Sequence, residues 1–225
     1  MLTHRLARSC SVAQLTAELR LPMFPDLLRR FLYDQLQPDG VLTSSDVPLQ
    51  ACPKFTGKIN IHNSAVATIF APSDLSGTGG MRREFLHAVP SWRKKYPRYD
   101  CAFLNSDPDT AGMRGMDVVR VQMFFSFVFN DKTYPCALVH WYSKLGDAPD
   151  EDVGMWVVQP EVHSDGSPEI SVIHLDCVIR AAHLLPVFGD RFISKDITFY
   201  NSLDAFKAFY VNRFIDHHAF ELLSE

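Results

Sequence analysis

Val118-Val-Arg-Val-Gln-Met-Phe-Phe-Ser-Phe-Val-Phe129, then Asn130-Asp-Lys132, then Thr133-Tyr-Pro-Cys-Ala-Leu-Val-His-Trp-Tyr142 is the stretch that decides the fold class of this chain. Two long runs of aromatic and β-branched residues joined by a short polar turn specify a β-hairpin. The acidic loop Gly146-Asp-Ala-Pro-Asp-Glu-Asp-Val-Gly154 follows, and Met155-Trp-Val-Val158 opens a third strand. In the first run Val119, Val121, Met123, Phe125, Phe127 and Phe129 fall on one face, opposite Arg120, Gln122 and Ser126. Phe124 and Val128 make that opposite face partly apolar, and a strand apolar on both sides is central in a sheet or inside a barrel.

Outward from the hairpin the period-two pattern continues. Upstream, Ile59, Ile61, Ala65, Ala67 and Ile69 share a face, and Asn63 interrupts it as a bulge or bend would. Tyr99–Leu104, Ile170–His174 and Cys177–His183 read as further strands. Arg82–His87 reads as a short helix, and Ser202-Leu-Asp204 as the cap of a helix carrying Leu203, Phe206, Tyr210 and Phe214 on one side. Ser11-Val-Ala-Gln14 fits a capping box. Beyond Pro25, Leu27, Leu28, Phe31, Leu32 and Leu36 form one apolar helical stripe.

Residues 38–56, with Pro38, Pro48 and Pro53 among Ser and Asp, read as a linker. The organisation expected is a helical extension and linker over 1–56, then a β-barrel-like domain over 57–225. The fold class is α+β, mainly β: a small antiparallel barrel or folded-over sheet of roughly six to eight strands, with N-terminal helices and one C-terminal helix.

Composition narrows the function. The 225 residues are 47% hydrophobic and include 17 Phe, enough for one aromatic core. Five dispersed Cys without a Cys-x-x-Cys pair speak against a disulfide framework and a structural zinc site, and for a reducing compartment, cytoplasmic or nuclear. The opening residues show no apolar signal-peptide core, and no run approaches the length of a membrane span, so no membrane partner is expected.

The net charge of −4 is unevenly spread. Residues 82–99 hold Arg82, Arg83, Arg93, Lys94, Lys95 and Arg98 against Glu84 alone, which makes that segment +5 and leaves −9 for the remainder. Phe85, Trp92, Tyr96 and Tyr99 interleave with the cations. Cations that neutralise phosphates, with aromatics that stack on bases, make a nucleic-acid contact patch; the competing reading is a solvated basic loop anchored by its rings.

Four other clusters carry less. Ser76-Gly-Thr-Gly-Gly80 has the glycines of a phosphate cradle ahead of a segment read as helix, but lacks a P-loop lysine, and such glycines equally serve a tight turn. His174 and Asp176 with His217 or His218 follow the order of a two-His-one-carboxylate iron site, a remote oxygenase reading. Cys136 and His140 lie four apart on one strand face, though the Cys reads as a buried apolar side chain. Asp147, Asp150, Glu151 and Asp152 lack EF-hand spacing. No catalytic residue and no cofactor emerges, so the chain reads as a binding module.

The strings Phe124-Phe-Ser-Phe127, Tyr134-Pro-Cys-Ala-Leu-Val-His-Trp141, Gly154-Met-Trp-Val-Val158, Val172-Ile-His-Leu-Asp176, Arg180-Ala-Ala-His-Leu-Leu-Pro186 and Asp216-His-His-Ala-Phe220 resemble the C-terminal region of Plavaka-type proteins, transposase-like proteins of fungal DNA transposons. The likeness spans about residues 55–222 and includes the upstream 71–80 loop and Arg98-Tyr-Asp100. It implies an accessory region downstream of an RNase-H-like catalytic core, contacting DNA, chromatin or another chain of the same transposon machinery. The strand arrangement also resembles a bromo-adjacent-homology-type β-barrel, a chromatin-associated interaction fold. The alternative is a protein-protein interaction domain that docks through the acidic loop 147–152 or the helix 25–36.

Overall fold

In the computed structural model, which describes residues 1–3, 6–38, 40–72, 78–189 and 192–224, the central block is a hairpin whose strands run beyond the apolar pattern. In chain order the elements are β1 (Leu6–Ser11), α1 (Val12–Leu19), α2 (Phe24–Leu36), β2 (Lys58–His62), β3 (Ser64–Phe70), β4 (Met81–Trp92), β5 (Tyr96–Tyr99), β6 (Cys101–Asn105), β7 (Met116–Phe129), β8 (Lys132–Lys144), β9 (Val157–Pro160), β10 (Ile170–His174), β11 (Val178–Ala182), β12 (Leu184–Pro186), α3 (Ser202–Ala205), β13 (Phe209–Val211) and α4 (His217–Ser224). The protein is mainly β, built on a curled antiparallel half-barrel sheet with N-terminal helices and a C-terminal helix.

β7 and β8 form the spine. β8 runs along one edge of β7, while β6 and β2 share the other edge end to end. β10 and β9 likewise share the far edge of β8. A second, three-stranded sheet runs β3-β4-β5. Asn63 is the point where the chain leaves one sheet for the other, and its carbonyl accepts from the Ala88 N–H at 3.0 Å.

The β7–β8 turn consists of Asn130 (φ 49°) and Asp131 (φ 59°), both left-handed, as a two-residue turn matched to the twist of its strands requires. A register shift between Val121 and Met123 leaves Gln122 as an extra residue in β7. That bulge corrects the single apolar face expected from the sequence, because one inserted residue swaps the faces beyond it. Val119, Val121 and Phe124 pack with Ala137, Val139, Leu86 and Leu175. Met123, Phe125 and Phe127 point the other way, onto Leu15, Phe24, Leu28, Phe31 and Leu32 of α1 and α2. The helical extension therefore shares its core with the sheet, and β1 pairs with β2. Arg29 donates to the Cys52 carbonyl, and the Asp34 carboxylate accepts from the Ser44 N–H and hydroxyl at 2.7 Å each, so the 38–56 segment is tied back to α2.

Two expected helices are corrected. Arg82–His87 is the first half of β4, paired residue for residue with β3 from Ser64↔His87 to Phe70↔Met81. Long-range pairing outweighs the modest helix preference of Arg, Glu and Leu. The segment after Ser202 gives only the four-residue α3. Phe209 and Val211 then enter β13, while Phe214, expected on the same buried stripe, is exposed. The C-terminal helix is α4, capped by Asp216, which accepts from the Ala219 N–H at 2.7 Å. All five cysteines are free. Among the described residues no helix is long and apolar enough to cross a membrane.

Candidate binding cleft and cationic hairpin

β4 is twelve residues long, and its two ends carry different members of the basic cluster. The basic cluster that is compact in sequence is therefore divided in space. Arg82 and Arg83 sit at the start of β4. Arg93, Lys94 and Lys95 form the loop between β4 and β5, and Arg98 returns along β5.

Arg82 and Arg83 also part across the strand. Arg82 shares its face with Glu84 and the buried Leu86, whereas Arg83 is exposed on the outer face opposite Thr68. The Arg82 guanidinium stands 4.0 Å from Glu84 and 3.7 Å from Asp216. Beside it Arg180 of β11, 2% exposed, is the centre of an ion network. Its two terminal nitrogens donate to Asp216 at 3.0 and 2.6 Å, one of them also to Glu84 at 2.6 Å, and Nη1 lies 3.2 Å from His218 Nδ1. Glu84 also accepts from the Ala181 N–H at 3.1 Å. The Arg180 hydrogen bonds hold the Asp216 carboxyl down to about 2. This network joins β4, β11 and the cap of α4, elements distant in sequence, and no local motif announced it.

The β4–β5 loop is different. Trp92 pairs with Tyr96, Lys95 N–H donates to the Trp92 carbonyl at 3.0 Å, and Arg93 (φ 51°) and Lys94 (φ 61°) are both left-handed. The Arg93, Lys94 and Lys95 side chains are exposed, and no acid pairs with them among the described residues. Arg93 leans toward the Trp92 ring at 5.6 Å.

Trp92 and Tyr96, expected to stack on bases, already have ring partners. The Arg98 guanidinium lies 4.9 Å from the Trp92 centroid, and His87 meets that ring edge-on at 4.2 Å. Tyr96 stacks on Tyr200 at 4.9 Å and 4°. Arg98 is paired with Asp100, Nε to Oδ1 at 2.8 Å. Burial would raise the Asp100 carboxyl, but hydrogen bonds from His87 and Arg98 hold it below the ordinary aspartate value.

Between the small sheet, β11 and the 199–204 segment lies an open cleft of about 530 Å³. Arg82, Arg98, Arg120 and Arg180 line it with Glu84, Asp100 and Asp216, and the rings of Trp92, Tyr96, Tyr99, Phe199 and Tyr200 form its apolar surface. Phe199 and Tyr200 carry no sequence signal of their own, since their register against Tyr96 is purely tertiary.

Residues 73–77 lie outside the described residues. Of the glycine loop, Gly79 (φ 62°) and Gly80 (φ 75°) make the tight turn between Thr78 and Met81, and the loop leads into a strand, not the helix N-terminus an anion cradle requires. His174 meets Asp176 at 3.4 Å, His217 pairs with Glu221 at 3.0 Å and His218 lies on Arg180. Among the described residues no group of three His, Cys, Asp or Glu is gathered to hold a metal ion. Cys136 Sγ donates to the Tyr134 carbonyl and burial pushes its thiol far up, while His140 Nε2 bonds the Glu161 carbonyl, so the two do not form a pair. The 147–152 loop is a turn in which Asp150 accepts from the Asp152 and Val153 N–H groups.

No protein-family model, curated protein or solved structure matches the chain.

Proposed function

We propose that the chain is a non-catalytic interaction module of a transposase-like protein that contacts DNA or chromatin through the Arg93-Lys94-Lys95 tip, and that it works in the nucleus or cytoplasm. The observation that carries this reading is the backbone of the tip. A left-handed conformation costs an ordinary L-residue about 1–2 kcal/mol, and Gly or Asn would lower that cost. Arg93 and Lys94 both adopt it, beside a third cation, with all three side chains in solvent and, among the described residues, clear of acids. The tight turn requires this backbone but not these residues, and strain carried by residues that stability would not select points toward function. Three adjacent long-chain cations suit a phosphate backbone, which rewards charge density over exact geometry. The likeness to Plavaka-type C-terminal regions supports the same reading.

The test is fluorescence anisotropy with labelled DNA across a salt series. Wild-type affinity falls steeply with salt. The Arg93→Glu, Lys94→Glu, Lys95→Glu triple variant binds weakly, and its log–log salt slope is shallower by about one for each phosphate that it no longer neutralises. Salt-independent binding, or none, by the wild type removes the proposal.

A second reading, a protein-protein interaction domain, has its own observation. α2 spends most of its apolar stripe inward, with Leu28, Phe31 and Leu32 buried and only Leu36 at its end exposed. The outer face of β3–β4 instead leaves Phe70, Met81 and Phe85 exposed around Arg83. Retention of a partner chain by the wild type and its loss in Phe70→Ser, Phe85→Ser, with DNA affinity unchanged, favours this reading.

A further inference from the structure

We infer that the cleft takes unpaired nucleobases, so that the module prefers single-stranded to duplex nucleic acid; this rests on the nucleic-acid reading above and specifies it. Phe199 is the carrier. The residue is 77% exposed, yet its ring is held edge-on against Tyr96 at 5.1 Å and 86° and against Tyr200 at 5.4 Å and 88°. Two rings thus fix its orientation while its own surface stays in water at the cleft, which is the form of a stacking platform. Lone exposed phenylalanines are ordinary; one braced by two stacked tyrosines beside a cleft of about 530 Å³ is a site, within the roughly 300–1,000 Å³ that ligand clefts occupy.

The cleft also holds a replaceable charge. Arg120 of β7 lies in it beside the Tyr99 ring at 5.8 Å, with its Nε buried and without a partner. Its guanidinium is bonded to Asp204, which is 61% exposed on the four-residue α3. A solvent-exposed carboxylate on so short a helix is a weak competitor for a guanidinium, and a backbone phosphate can take its place. The other lining arginines are less available, since Arg98 is paired with Asp100 and Arg180 with Glu84 and Asp216. The strand path implied runs from the Arg93–Lys95 tip, along Trp92 and Tyr96, to Phe199 and Arg120. Tyr96 is the link, because it follows the tip directly in sequence and stacks on Tyr200. In a duplex the base faces are covered by their neighbours and cannot reach Phe199.

The experiment compares a labelled oligothymidylate of about a dozen nucleotides with a duplex of equal length, at two salt concentrations, for the wild type and three variants. The wild type binds the single strand more tightly. Phe199→Ala lowers single-strand affinity on the order of 10-fold or more, the effect of losing one stacked base, and leaves duplex affinity unchanged. The Arg93→Glu, Lys94→Glu, Lys95→Glu variant loses affinity for both. Phe199→Trp restores single-strand binding, which a merely structural role would not produce. If duplex and single strand bind equally, or Phe199→Ala binds the single strand as wild type does, the cleft is not a base site and the inference falls while the cationic tip stands. If neither nucleic acid binds in a salt-dependent way, the underlying reading falls as well.

Discussion

Two hairpin turns in this molecule solve one backbone problem with opposite residue choices. At the end of β7–β8, left-handed backbone is given to Asn130 and Asp131, whose short polar side chains tolerate it. At the end of β4–β5 it is given to Arg93 and Lys94, which have no such aptitude. The strands behind the turns differ in the same sense. β7–β8 buries Phe125, Phe127 and Tyr134 against α1 and α2, whereas β5 keeps its aromatics half-exposed beside a cleft. The first hairpin is built for stability; the second departs from what stability alone would select, and that departure marks where recognition is to be sought.

The largest effect expected belongs to the first hairpin. Phe127 is wholly buried, stacked on Tyr134 at 5.4 Å and met edge-on by Phe31 at 6.2 Å. Phe127→Ala lowers unfolding free energy by about 3–5 kcal/mol, read from urea denaturation. A decrease below about 1 kcal/mol contradicts the role given to this core.

An exchange of turns tests the contrast directly. Arg93→Asn with Lys94→Gly raises stability by about 1–2 kcal/mol and weakens DNA binding. The reciprocal Asn130→Arg with Asp131→Lys costs a similar amount and confers no affinity. Equal stability for both exchanged proteins and the wild type shows the backbone cost to be illusory.

The smallest effect concerns the ion network that closes the cleft floor. Asp216 is held at about 2 against an ordinary value of 3.8, chiefly by hydrogen bonds from Arg180. A depressed carboxylate stabilises the fold fully above its unfolded value, and that contribution is lost as pH falls from near 4 toward 2. Asp100, also held low, acts in the same direction. After solvent screening the Asp216 contribution is about 1 kcal/mol. Denaturation at pH 6, 4 and 2.5 shows the decline, and Asp216→Asn makes it shallower; identical slopes in the two proteins exclude Asp216 as its source.

Most of the architecture was legible. The β7–β8 hairpin, the strands near 170 and 178, the break at Asn63 and the α1 start at Ser11 all follow from local signals, and the Gln14 N–H does donate to Ser11 Oγ at 3.2 Å. The Gln14 side chain bonds Glu18 instead of returning to the cap, so the capping box is half made. What misled was local signal without its partner. Arg82–His87 reads as helix until β3 is beside it, and Tyr210 reads as part of a helical stripe until β9 and β12 claim it.

The candidate site divides along the same line. The cations of 82–99 and their rings are visible in the chain, but a strand of twelve residues divides them, and Arg82 at its start lies against Glu84 and the sequence-distant Asp216. Residue order alone determined that this is an aromatic-cored β protein with a basic turn, because periodicity and charge are properties of neighbours. Folding decided which cations stay clear of acids, that Phe199 and Arg120 face one cleft, and that one inserted residue at Gln122 turns β7 over between two cores. Those outcomes depend on registers between strands dozens of residues apart, where pairing is set by burial of whole faces and not by any local preference.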